Sequence, residues 1–85
     1  MFGRFPVAVD IFPNPTASEA FFVENLSQTD LSLNIRMPDG RLVFAQKIGK
    51  DRTEIALPNL PVGTYFLFFE NRDGQTVQID KLVRI

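Results

Sequence analysis

The chain has 85 residues, 45% of them apolar, with 9 Lys and Arg against 10 Asp and Glu and neither Cys nor His. That length holds one domain, and a formal charge of -1 leaves no basic excess for nucleic acid. The missing thiols and imidazoles remove disulfides, thiol nucleophiles, imidazole bases and nearly all zinc or copper sites, and no run approaches the ~18 to 20 apolar residues that insert across a bilayer.

Met1 to Phe5 lacks the apolar core and small-residue cleavage site of a secretory signal. Residues 1–6 read as an N-terminal lead-in, or as a remnant of a cut from a longer polypeptide, and residues 7–85 as the domain. The first strand runs from Val7 to Phe12 and is stopped by Pro13 and Pro15, which lack the N–H a ladder needs. Asn14 between them is expected to bond its own backbone in a rigid turn. Glu19 to Glu24 is the second strand. Leu31 to Met37 is the third and the clearest, with Leu31, Leu33, Ile35 and Met37 on one face and Ser32, Asn34 and Arg36 on the other.

Pro38-Asp39-Gly40 is a hairpin turn, since Asp and Gly tolerate positive φ, and it leads into Arg41 to Ile48. A turn over Gly49 to Arg52 precedes Thr53 to Leu57, whose Ile55 and Leu57 point inward. Pro58-Asn59-Leu60-Pro61 is a connection that crosses between sheets. Thr64 to Glu70 is apolar on both faces, Tyr65, Leu67 and Phe69 against Phe66 and Phe68. It is therefore either central and covered twice or an aromatic surface offered to a partner. Gly63 supplies a bend into that strand, and the Tyr65 hydroxyl is expected to reach a backbone group. A second hairpin turn, Asn71 to Gly74, leads to the last strand, Thr76 to Ile85.

About seven short strands, no helix and turn signals every eight to twelve residues define an all-β chain. The fold expected is an immunoglobulin-like antiparallel β-sandwich, with an open barrel as the competing arrangement. Counting by twos along the last strand gives Val77, Ile79, Lys81, Val83 and Ile85, one cation in an apolar face. Lys81 reads either as an inward-pointing guard against edge-to-edge aggregation or as a recognition element on a readable strand. Asp39, Asp51, Glu54, Asp73 and Asp80 form no calcium-loop pattern, and four of them sit at or beside turns. No base accompanies a Ser, Thr or Lys nucleophile, so neither metal, cofactor nor catalysis is expected.

The order of these features, Ile11-Phe12-Pro13-Asn14-Pro15, the hairpin from Ile35 to Val43, Leu60 to Tyr65 and a Lys-containing apolar end, resembles the C-terminal sorting domain, type A, of Bacteroidetes type IX secretion cargo proteins. The likeness runs from about Val7 to Ile85. Met37-Pro38 stands where the family more often carries an acidic and an apolar residue, and Arg84 interrupts the apolar end. The resemblance implies a noncatalytic address label on a fused N-terminal cargo domain. It also implies passage through the periplasm to the cell surface or extracellular space, recognition by the outer-membrane type IX translocation machinery and removal by a surface sortase.

The positions it marks are Pro13, Asn14, Pro15, Asp39 and Gly40 as structural motif, and Gly63, Tyr65, Lys81, Leu82, Val83, Arg84 and Ile85 as recognition residues. The mechanism expected is strand addition to an exposed edge of the last strand, with Lys81 fixing register. Deletion of Lys81 to Ile85 should then abolish export and leave the domain folded, and exposed edges would also permit a homodimer. The rival reading is an immunoglobulin-like accessory or carbohydrate-binding module of a secreted enzyme or adhesin, with Tyr65, Phe66 or Phe68 stacking on sugars.

Overall fold

Side-chain alternation sets the layers. In the third strand Leu31, Leu33 and Ile35 are buried, whereas Ser32, Asn34 and Arg36 are only partly covered, as a strand with one dry face requires. The computed structural model describes residues 8–27, 29–57 and 60–85. Within them lie β1 (Val9–Phe12), β2 (Ala20–Asn25), β3 (Leu31–Arg36), β4 (Leu42–Ile48), β5 (Asp51–Ala56), β6 (Gly63–Glu70) and β7 (Thr76–Arg84), with no helix among the described residues. Strand ends agree with the sequence expectation to within two residues. Residues 1–6, Val7 and the Pro58-Asn59 part of the crossing connection lie outside the described residues.

The strands form two antiparallel sheets, β1-β2-β5 and β4-β3-β6-β7. This is the expected sandwich rather than a barrel, with the fourth strand beside the third instead of at the edge of the smaller sheet. Phe21, Val23 and Ile55 from one sheet meet Leu33, Ile35, Leu67, Phe69 and Leu82 from the other in a single core. The connection from β5 to β6 passes from the smaller sheet to the larger, as its prolines suggest.

The β3–β4 turn closes through Gly40 N–H donating to the Met37 carbonyl at 2.8 Å and Met37 N–H donating to the Arg41 carbonyl at 2.9 Å. Gly40 sits at φ +93°, where a side chain would be strained. Asp39 Oδ1 accepts from Arg41 N–H at 2.9 Å, so its carboxylate braces the turn.

The start of β7 lies beside the start of β1, through Gln78 and Val9. The end of β7 lies beside the segment that follows β1, through Thr16. Ala8 and Ile85 therefore lie toward opposite ends of β7.

The inward-facing reading of Lys81 is corrected. Lys81 pairs with Phe66, and Ile79 with Phe68, on the outer face of the larger sheet, and Val77, Ile79, Lys81 and Ile85 are exposed. The opposite parity, Gln78, Asp80, Leu82 and Arg84, faces inward, and of these Leu82 enters the core at 1% exposure. Strand β6 is interior to its sheet, yet among the described residues no third layer covers its outer side: Tyr65, Leu67 and Phe69 are buried, whereas Phe66 and Phe68 are only partly buried. Of the two alternatives for this strand, the described residues fit the presented aromatic surface.

A candidate recognition surface at the far end of the sandwich

The end distal to Ala8 gathers residues that are far apart in sequence. Its frame is the segment Pro13-Asn14-Pro15-Thr16, which leaves β1 and lies along the outer edge of β7. Asn14 Nδ2 donates to the Lys81 carbonyl at 2.6 Å, and Asn14 Oδ1 accepts from Val83 N–H at 3.0 Å. One side-chain amide thus fills the place of a peptide group in a neighbouring strand. The backbone of Thr16 continues the pattern, donating to the Val83 carbonyl and accepting from Ile85 N–H, both at 2.9 Å.

Two expectations are corrected by this geometry. Asn14 bonds the last strand rather than its own turn, and the N–H two residues on, that of Thr16, donates to the Val83 carbonyl instead. The edge of the last strand is not free over Lys81 to Ile85: β6 pairs it on one side and Asn14 and Thr16 on the other. Strand addition there would have to displace this strap.

Arg84 ties the end down from the inner side. Its Nε donates to the Leu60 carbonyl at 2.7 Å and its Nη1 to the Ser18 carbonyl at 3.0 Å, satisfying loop carbonyls by charge-assisted bonds. What interrupts the apolar run is thus a clamp. Tyr65 is 3% exposed and its hydroxyl donates to the Pro61 carbonyl at 2.6 Å, the corner arrangement of immunoglobulin-like sandwiches. Buried and bonded in this way, Tyr65 offers no face on which a sugar could stack. Gly63, at φ +154°, makes the turn into β6 in a region that disfavours side chains.

Tyr65→Phe removes that hydroxyl and leaves the Pro61 carbonyl without its donor. The expected loss is about 1 to 2 kcal/mol, read by urea unfolding; an unchanged midpoint would show that water replaces the bond at no cost.

The surface left over is apolar. Val62 is 72% and Ile85 62% exposed. A cleft of about 390 Å³ opens between the β3–β4 turn and the tyrosine corner, lined by Met37, Pro38, Arg41, Val43, Leu60 and Val62 among others. Lys81 and Val83 point to the outer sheet face beside it.

Of the residues marked in sequence, Pro13 to Pro15, Asp39, Gly40, Gly63, Tyr65 and Lys81 to Ile85 all belong to this end. The structure adds one residue at this end that the sequence reading missed, Thr16, which is 2% exposed, and another, Gln78, at the opposite end beside Ala8. Thr16 carried no signal, being a small polar residue in a turn. Gln78 was assigned to the wet face by the same parity that misplaced Lys81.

Side-chain capture of a strand edge, loop clamps and an exposed apolar cleft are features of a binding module, a class of protein whose work lies in being recognised. The family described as the secretion system C-terminal sorting domain matches residues 10–84, and the chain belongs to that family. It is a type IX secretion sorting signal, which directs an N-terminal cargo across the outer membrane through the secretion machinery. No curated protein matches the chain.

Proposed function

We propose that the translocation apparatus reads the far end of the folded sandwich, and that a surface sortase then removes the domain and leaves the cargo attached at the cell surface. The observation that carries this reading is the convergence just described. Residues from Pro13 to Ile85 that the sorting-domain resemblance marks meet at the end opposite Ala8, where the chain from the cargo arrives. A signal placed there projects away from its load. Lys81, Val83 and Ile85 present side chains from a strand held on both edges, so the reader meets a rigid shape and spends little ordering it.

The test fuses a secreted reporter ahead of the chain in a cell that has the secretion system. Ile85→Asp and Val62→Asp each place a carboxylate on the exposed apolar end without touching the core. Export is expected to fall by about tenfold, with the melting temperature of the purified fusion unchanged. Wild-type export of both variants would remove the far end as the reading site. Retention of the exported reporter on washed cells, against its appearance in the medium, separates surface attachment from release.

A further inference from the structure

We propose that the outer face of the four-stranded sheet is a docking surface for a protein partner that presents apolar side chains between carboxylates. This rests on the reading above and extends it to residues outside the far end. The face is built in rows. Leu42, Arg36, Phe66 and Lys81 lie side by side across β4, β3, β6 and β7. Ala45, Asn34, Phe68 and Ile79 form the next row, and Thr64 and Val83 the row toward the far end.

Ile79 is 55% exposed, Leu42 is exposed, and both Phe side chains are partly exposed. At ~4.8 Å between strands and ~6.8 Å between same-face residues the patch covers roughly 300 Å². That is the size of the apolar centre of an ordinary interface, which buries about 800 Å² on each partner. A signal that must let go is served by such a limited contact.

Charge selects the partner. These three rows hold two cations, Arg36 and Lys81, and no carboxylate; the row beyond them adds Lys47 and Glu70, so the whole face carries three cations to one carboxylate in a chain whose carboxylates outnumber its cations. The two cations flank Phe66 on either side, roughly 10 Å apart across two strand spacings. Arg36 is held in place: its Nη1 donates to the Gly40 carbonyl at 2.8 Å, and its guanidinium carbon lies 6.0 Å from the centre of the Phe68 ring. A partner therefore meets a preset cation over an aromatic surface.

The outer face of the smaller sheet has the opposite character, with Asp10, Glu24 and Glu54 around Phe12, Phe22 and a single Arg52. A like face-to-face dimer through the larger sheet would set Arg36 and Lys81 against their copies. The surface is flat, and these rows hold no carboxylate to accept from sugar hydroxyls beside the donors Arg36 and Lys81, which favours a protein over a glycan.

The same reporter fusion tests the surface. Phe66→Ser with Ile79→Ser, and separately Lys81→Glu, are expected to lower export about tenfold while urea unfolding shows a folded domain. Lys81→Glu leaves every core residue in place, so it decides the matter if the serine pair fails to fold. A photo-crosslinking residue at position 79 is expected to join the exported fusion to a protein in the cell, and Lys81→Glu to suppress that adduct. Ile79→Glu, at an exposed position outside the far end, separates the two readings: wild-type export of folded Ile79→Glu overturns the docking surface, and the far-end reading is then judged by Ile85→Asp and Val62→Asp alone. Failure of the wild-type fusion to be exported overturns both. Crosslinks to a glycan or lipid, or to a second copy of the fusion, overturn the proposed partner.

Discussion

Leu82→Ala is expected to destabilise the domain by about 3 kcal/mol, and removal of Lys81 to Ile85 by about 5 kcal/mol or more. Leu82 is fully buried among Phe21, Leu57 and Leu60 at the far end of the core, so truncation to Ala loses its transfer energy and leaves a cavity. The five-residue deletion also strands Asn14, Thr16 and the carbonyls of Leu60 and Ser18, which all spend their bonds on this segment.

A domain of this length has a total stability of only about 5 to 10 kcal/mol. The deletion should therefore yield an unfolded, protease-sensitive chain rather than a folded domain lacking its signal. This changes how loss of export in such a truncation is to be understood, because an unfolded domain and an unread domain look alike in a secretion assay. Urea unfolding and limited proteolysis of the purified truncation decide the point. A truncated chain that unfolds at the wild-type midpoint would show that β7 ends, energetically, before Lys81. Substitutions at the outward residues Lys81, Val83 and Ile85 probe recognition without this confusion.

The seven strands along the chain and nearly every turn were legible in the sequence because local chemistry and global fold agree there. Alternation from Leu31 to Met37, the Asp39-Gly40 turn and the breaks at Pro13 and Pro15 each had one physical interpretation. The face of β7 was not legible, and the reason is specific. Inward positions 78, 80 and 84 are polar: Gln78 substitutes for a missing neighbouring strand, Asp80 accepts from the Gln78 amide, and Arg84 bonds loop carbonyls. Outward positions 77, 79 and 83 are apolar and form one side of an uncovered sheet. A rule that puts the apolar parity inside is inverted along β7, where polar side chains close the seam between the sheets and apolar ones lie on the outer sheet face. The far end was legible as a set of motifs but not as a place, since the bond from Asn14 to Val83 spans 69 residues.

Gln78→Glu is expected to cost about 2 to 4 kcal/mol, although it changes one atom. Gln78 Oε1 accepts from the backbone N–H groups of Ala8 and Val9 at 2.8 and 3.0 Å, and its Nε2 donates to the Val9 carbonyl at 2.8 Å and to the Asp80 carboxylate. Glu retains the acceptor and loses the donor. It then points negative charge at a carbonyl and at Asp80 in a partly buried site, where screening is weak.

Gln78 and Asn14 do the same work in opposite directions: an amide from β7 pairs the open edge of β1, and an amide from the turn after β1 pairs the open edge of β7. Each holds one end of a shared seam between the two sheets, so while either remains the other end stays close. Asn14→Ala alone should cost about 1 kcal/mol, and in combination with Gln78→Glu the loss should exceed the sum of the single losses by at least ~0.5 kcal/mol. Both edges are then exposed together, and sedimentation should show concentration-dependent self-association absent from the wild type. Additive losses with a monomeric double variant would mean that the two amides act as independent bonds and that the core alone holds the seam shut.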